Sequence, residues 1–199
     1  MCAAPTSAGE ATWTEADAAW ERLQIAGAAA FAAHDLAGAA ESWAAALRTA
    51  RTSFAQDDPR LATSLANHAT ALRHKGEPVP AGLWEEALAI WDAAPAWLAR
   101  QRFAPRARSS IFHLRLEAKH GGAYDENLRR RAETLLHAAR AATAALAAGA
   151  PARAPARAVF RIFLSAPRDA MRKVLAAAHL LAAPAPDHDA EARAGQEGS

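Results

Sequence analysis

Cysteine occurs once in this chain, at Cys2, so no internal disulfide braces the fold. Tyrosine also occurs once, and valine only at Val79, Val159 and Val174. No stretch alternates β-branched residues over more than a few positions, which excludes an extended sheet. No run approaches the roughly 20 apolar residues that a membrane-spanning helix needs. The alanine-rich stretch 138–152 is interrupted by Arg140 and Thr143 and reads as a helix in water. The first 20 residues have neither a basic n-region nor an apolar h-region, so no secretory signal is expected and a cytoplasmic setting is the default. Gly-rich phosphate loops, nucleophile elbows and Cys–His clusters are also missing. The eight histidines include no i, i+4 pair. His113, Glu117 and His120 make one stripe able to hold a metal, but a hydrated, ion-pairing stripe is the commoner use of such residues. The expectation is a protein that is not an enzyme and carries no cofactor or metal.

What the chain has in abundance is alanine. Hydrophobic residues fill 52% of the 199 positions, and much of that is Ala, the strongest helix former and an easily buried residue. The fold class is therefore all-α, and the length suits one domain or a short repeat array. Residues 1–12 are small and polar and are expected to be disordered. Thr14 and Asp17 resemble a capping box and open a helix running to about Ala33. A turn at Asp35-Leu36 leads into a second helix to about Phe54, with Ala39, Trp43, Ala46 and Ala50 on one face. Asp58 suits an N-cap and Pro59 a first helical position, starting a third helix that ends near His74, before Gly76. A fourth is predicted over Ala81 to Asp92 and broken by Pro95, with a short helical turn around Trp97 to Phe103. A fifth runs from Pro105 to His120 and a sixth from Tyr124-Asp125 to about Ala148. Residues 149–155 read as a linker. Residues 156–183 read as C-terminal helices, 156–165 and 167–183, that pack on or cap the helical domain of 13–148. Residues 184–199 read as a disordered tail.

The net charge of +2 conceals an asymmetry. Residues 1–58 carry three arginines against eight acids, a balance of −5, and residues 100–182 carry sixteen basic residues against five acids, a balance of +11. An acidic front and a basic back bear on association rather than on fold. One possibility they raise is head-to-tail self-association between copies, which makes rings or filaments.

The chain also echoes itself. Ser42-Trp43-Ala44-Ala45-Ala46-Leu47 returns 41 residues later as Leu83-Trp84-Glu85-Glu86-Ala87-Leu88. Spacing of this order marks a helical repeat. Gly27, Ala39, Trp43 and Ala46, with Asp35-Leu36 at the turn, resemble a first unit of the tetratricopeptide repeat family. Leu65-Ala66-Asn67-His68-Ala69, Leu72 and Gly76, followed by Trp84, Ala87, Leu88 and Ile90, resemble a second unit, of the longer kinesin-light-chain variety. Leu114, Ala118, Gly122 and Tyr124 align as a third, degenerate unit. The resemblance spans about residues 14–148. It implies antiparallel helix pairs in a right-handed superhelix, with the extra C-terminal helices beyond. HEAT-like helix pairs, with periods of about 40–47 residues, are the structural rival.

The resemblance further implies a non-enzymatic adaptor or assembly chaperone that binds an extended peptide on the concave face of its first helices. Asn67 stands where the family commonly uses an asparagine to contact ligand backbone, and Thr63, Thr70, Arg73 and His74 share that face or its neighbour. The family's clamp for acidic C-termini is incomplete, with Gln24 and Ala28 in the first unit and Ser109 and His113 in the third. A second candidate surface is basic: Arg106, Arg108, Arg115, Lys119, Arg129 and Arg130. It suits an acidic partner. Nucleic acid is not the expected one, because aromatics are sparse there and no recognition motif accompanies the charge. Trp43 and Trp84 are expected in the core. Trp91 and Trp97 flank the predicted break, where an exposed aromatic pair would make a binding hot spot.

Overall fold

The computed structural model describes residues 13–101, 124–155 and 169–184. Within them lie α1 (Glu15–Ala32), α2 (Leu36–Ser53), α3 (Pro59–His74), α4 (Leu83–Ala99), α5 (Tyr124–Ala147) and α6 (Asp169–His179). Two short strands, β1 (Ala152–Arg153) and β2 (Ala183–Pro184), pair antiparallel, Ala152 opposite Pro184 and Arg153 opposite Ala183. The predicted helices at 105–120 and 156–165 and both terminal segments lie outside the described residues. Among the described residues, no helix is long and apolar enough to cross a membrane.

The helix ends follow local chemistry. Thr14 caps α1: its hydroxyl accepts from the Asp17 N–H at 3.2 Å, while the Asp17 carboxylate accepts from the Thr14 N–H at 2.6 Å. Asp35 caps α2 through the Gly38 N–H at 2.9 Å, and Asp58 caps α3 through the Arg60 N–H at 3.0 Å. At the far end of α3 the Glu77 N–H reaches the Leu72 carbonyl and the Gly76 N–H reaches that of Arg73, a Schellman turn that needs the left-handed backbone of Gly76, φ 74°. α1 ends the same way with His34, φ 59°, in the left-handed place.

Short connections make α1 to α4 successively antiparallel, each packing on the next, and α4 also packs on α5. The α1–α2 contact is a small residue against a large one. A Cβ added to Gly27 would lie 2.4 Å from Trp43 Nε1, so only hydrogen fits there. The buried Trp43 donates to the Gln24 carbonyl at 3.3 Å and leans on Phe31 at 5.4 Å. Trp84 does not repeat this role. It is the second residue of α4 and half-buried, whereas Trp43 is the eighth residue of α2 and fully buried. The 41-residue echo therefore does not place its two tryptophans in equivalent positions.

α4 continues through Pro95 to Ala99, where a break was expected. Pro95 faces solvent, and Trp91, Ala94, Trp97 and Leu98 on either side of it are buried. An interior proline costs about 3 kcal/mol. Burying Trp97 and Leu98 returns about 1.5–3 kcal/mol for each large side chain, which decides for the helix. Neither Trp91 nor Trp97 is an exposed hot spot. Trp91 donates to Thr143 Oγ1 of α5 at 2.9 Å and ties α4 to α5.

α6 turns back into the assembly, packing on α3 and α5. Met171, Val174, Leu175, Leu180 and Leu181 are buried there. The segment expected as one helix over 167–183 ends its helix at His179 and becomes extended, so that β2 can pair with β1. Residues 152–153 of the expected linker thus belong to a ladder.

Gly27→Ala is expected to lower stability by about 1–3 kcal/mol, because the indole of Trp43 has no space to move into. A urea midpoint unchanged by the substitution would contradict the close α1–α2 contact.

Candidate functional site

The face proposed for ligand binding is built from α1 and α3, joined by a seam of buried polar groups. Asp17, Trp20 and Gln24 recur at i, i+3, i+7 on α1, and Arg60, Ser64 and Asn67 at i, i+4, i+7 on α3, so each set lines one stripe. Arg60 binds Asp17 through Nη1. Trp20 Nε1 donates to Ser64 Oγ at 2.8 Å, and Gln24 Nε2 donates to the same oxygen at 3.1 Å. Ser64 passes its own hydrogen to the Arg60 carbonyl at 2.9 Å. Asn67 Nδ2 donates to Gln24 Oε1 at 2.9 Å. The partners Asp17 and Arg60, and Gln24 and Asn67, are 43 residues apart in each case.

Arg60 is the strongest charge in the seam. It is 2% exposed and bonds Asp17 and Asp58, the latter twice, through Nε at 3.0 Å and Nη2 at 2.6 Å. Its guanidinium also lies 3.7 Å from the centre of the Phe54 ring. Burial alone would push the Asp17 carboxyl up, but the charge of Arg60 and the bonds from Arg60 and Thr14 outweigh it and hold Asp17 below its usual value. Burial likewise works against the Arg60 cation, and the Asp58 and Asp17 carboxylates more than restore it.

Asn67, Thr63 and Thr70 are fully buried, which corrects the expectation of an open face. The occupant is the chain's own C-terminal segment. Asn67 Nδ2 donates to the Leu180 carbonyl at 2.7 Å, and Asn67 Oδ1 accepts from the Ala182 N–H at 2.8 Å. Thr63 Oγ1 donates to the Ala177 carbonyl at 2.7 Å. Thr70 turns inward to its own helix, donating to the Ala66 carbonyl at 2.7 Å. Arg73 is also committed. It donates to the carbonyls of Leu146 and Ala150 at the end of α5 and stands over Trp84. His74 is exposed, with its ring edge-on to Phe31 at 5.0 Å. The structure thus brings Asn67 and Thr63 together on one polypeptide segment and assigns Thr70 and Arg73 to internal bonds.

Of the basic surface, Arg106, Arg108, Arg115 and Lys119 lie outside the described residues. Arg129 caps the end of α4, donating to the carbonyls of Leu98 at 3.1 Å and Gln101 at 3.3 Å, because helix ends leave carbonyls without intrahelical partners. Arg130 is exposed beside Glu126. The acidic front and basic back meet inside one chain: Arg172 pairs with Glu21 at 2.8 Å and Arg100 with Asp57. The metal-capable stripe His113, Glu117 and His120 lies outside the described residues. A further open groove of about 700 Å³ runs between α2, α3 and α4 past Phe54, Leu61 and Ile90, but its polar lining residues are all at least partly exposed.

Sequence reasoning missed Arg60, Ser64 and Gln24 as one network. The available signal was the recurrence of polar residues at helical spacing on two helices that are otherwise apolar on that side. Comparison of the chain with protein-family profiles, with curated proteins and with solved structures found no match.

Arg60→Ala is expected to cost about 3–5 kcal/mol, since it leaves two carboxylates buried without their cation. Denaturant unfolding measures this, and a loss below about 1 kcal/mol, the range of exposed pairs, would show that the triad is solvated. Stability also depends on pH. Burial lowers His68 and His179 below 6.5, with Arg131 adding to the effect at His179. The unfolded chain then takes up protons first, so this stability is full above pH 6.5 and is lost as pH falls through the folded values. Asp17 adds a second loss on acidification below about 3.8. Thermal midpoints measured from pH 8 to pH 3 should fall in these two stages, and His179→Gln should reduce the first.

Proposed function

We propose that the protein is a non-enzymatic interaction module, a cytoplasmic adaptor or assembly chaperone built as a tetratricopeptide-like array. It takes a segment of a partner protein across the face of α1 and α3. The observation that carries this reading is the capture of main chain by Asn67, which accepts from Ala182 N–H and donates to the Leu180 carbonyl while Gln24 holds its second N–H. An amide offers both donors and an acceptor, and its bonds to backbone do not depend on the side chains of the bound segment. The stacked helix pairs and the Gly27–Trp43 contact support the repeat reading. α6 and the residues after it occupy the face, so a partner segment competes with them.

Affinity capture with the full chain tests this reading. Val174→Asp places a carboxylate where α6 is fully buried and is expected to release α6 from the face while leaving the residues of α1 and α3 unsubstituted. Proteins enriched on the Val174→Asp chain over wild type, and lost again when Asn67→Ala is added, are the expected result. If all three chains, with helicity verified by circular dichroism, hold the same proteins, partner binding lies away from α1 and α3.

A further inference from the structure

We infer that the face of α1 and α3 selects one kind of partner segment: an amphipathic helix with an arginine near its start that runs into a short extended stretch. This inference rests on the interaction reading above and adds the chemistry of the partner. The pattern is set by what the face already holds. Met171, Val174 and Leu175 stand at i, i+3, i+4 and are buried, and the small Ala176 and Ala177 bring the helix close enough for Thr63 to reach the Ala177 carbonyl. The extended stretch after His179 presents the main-chain groups that Asn67 takes. The arginine is Arg172, whose Nη2 lies 2.8 Å from Glu21 Oε2 and whose guanidinium stacks 3.8 Å from the centre of the Trp13 ring.

The chain's own segment fills this site imperfectly. Among the described residues, Glu21 Oε1, Arg172 Nε and His179 Nε2 are buried with no hydrogen-bond partner. Glu21 and Arg172 therefore share a single bond where a carboxylate and a guanidinium can make a two-bonded fork. Buried polar atoms without partners are uncommon and each weakens the state that contains it. A partner segment whose arginine meets Glu21 through both oxygens, and which carries an apolar residue in place of His179, makes every bond of the resident segment and leaves fewer of these atoms bare. That difference is what lets a partner displace α6.

Fluorescence anisotropy with labelled peptides on full-length chains tests this. The peptide of residues 169–184 is expected to bind the Val174→Asp chain saturably and the wild-type chain at least about tenfold more weakly, because the wild-type segment competes at high effective concentration. A peptide carrying Arg172→Glu should lose about tenfold or more, and regain it on a Val174→Asp chain that also carries Glu21→Arg. A peptide carrying His179→Leu should bind more tightly than the parent. A folded Val174→Asp chain that takes none of these peptides, or takes the charge-reversed one equally well, overturns the inference. If Val174→Asp does not fold, Ala182→Pro, which deletes the N–H that Asn67 accepts, replaces it with the same expectations. On the wild-type chain, amides of 170–182 should exchange with solvent faster than those of α3, and a single common rate overturns the inference. Partner capture without peptide binding removes the segment chemistry alone, whereas loss of both removes the interaction reading as well.

Discussion

The fold turns on one buried amide. Asn67 sits in the middle of α3 with no exposure to solvent, and each of its polar groups must find a partner inside the protein. It finds one in α1, through Gln24, and two in the main chain that follows α6. Those three bonds join the first helix, the third helix and the C-terminal residues, which lie more than 110 positions away in sequence. Removing the C-terminal segment would leave the amide and the Thr63 hydroxyl short of partners. Filling the face is therefore required by its polarity as much as by its apolar area.

Around that amide the seam between α1 and α3 serves to orient the helices. Arg60 makes the arrangement specific, since a buried cation tolerates only a position where carboxylates reach it. Asp17 answers it from α1 while also capping that helix, and Asp58 answers it while capping α3. Two residues thus set both the ends of helices and the register between them. The same logic extends to the surface. The negative front and the positive back of the chain are complementary, and Glu21 with Arg172 and Asp57 with Arg100 consume part of that complementarity within one molecule.

Much of the local structure was legible in the sequence. The Thr14 capping box, the Asp58-Pro59 start and the Gly76 stop depend on residues within a few positions of one another, and each stands where those residues imply. The helical face of α2 was readable for the same reason. Pro95 was misread because its cost is local but its compensation is not: Trp97 and Leu98 are buried within the core that α4 shares with α5. Trp84 packs against the edge of the core as a half-buried residue rather than in the place of Trp43, because three matching residues out of six do not fix the turn of the helix on which they fall. Of the candidate site, Asn67 and Thr63 bond to main chain, and that main chain is the protein's own. Arg73 was marked by its place on the expected binding face and Arg129 by its charge, and both satisfy carbonyls at the ends of other helices.

By itself the sequence determined a mostly helical chain, the places where most helices begin and end, and a polar face on α3. Helix propensity, capping and periodicity act over a turn or two, so one-dimensional order suffices to express them. Only the tertiary structure decided what answers that face. The bonds from Asn67 to Leu180 and Ala182, from Thr63 to Ala177 and from Arg60 to Asp17 join residues distant along the chain, and no local rule says which distant groups will meet. Burial makes that choice, because a polar group removed from water takes whichever complementary group the packing of the helices brings within reach.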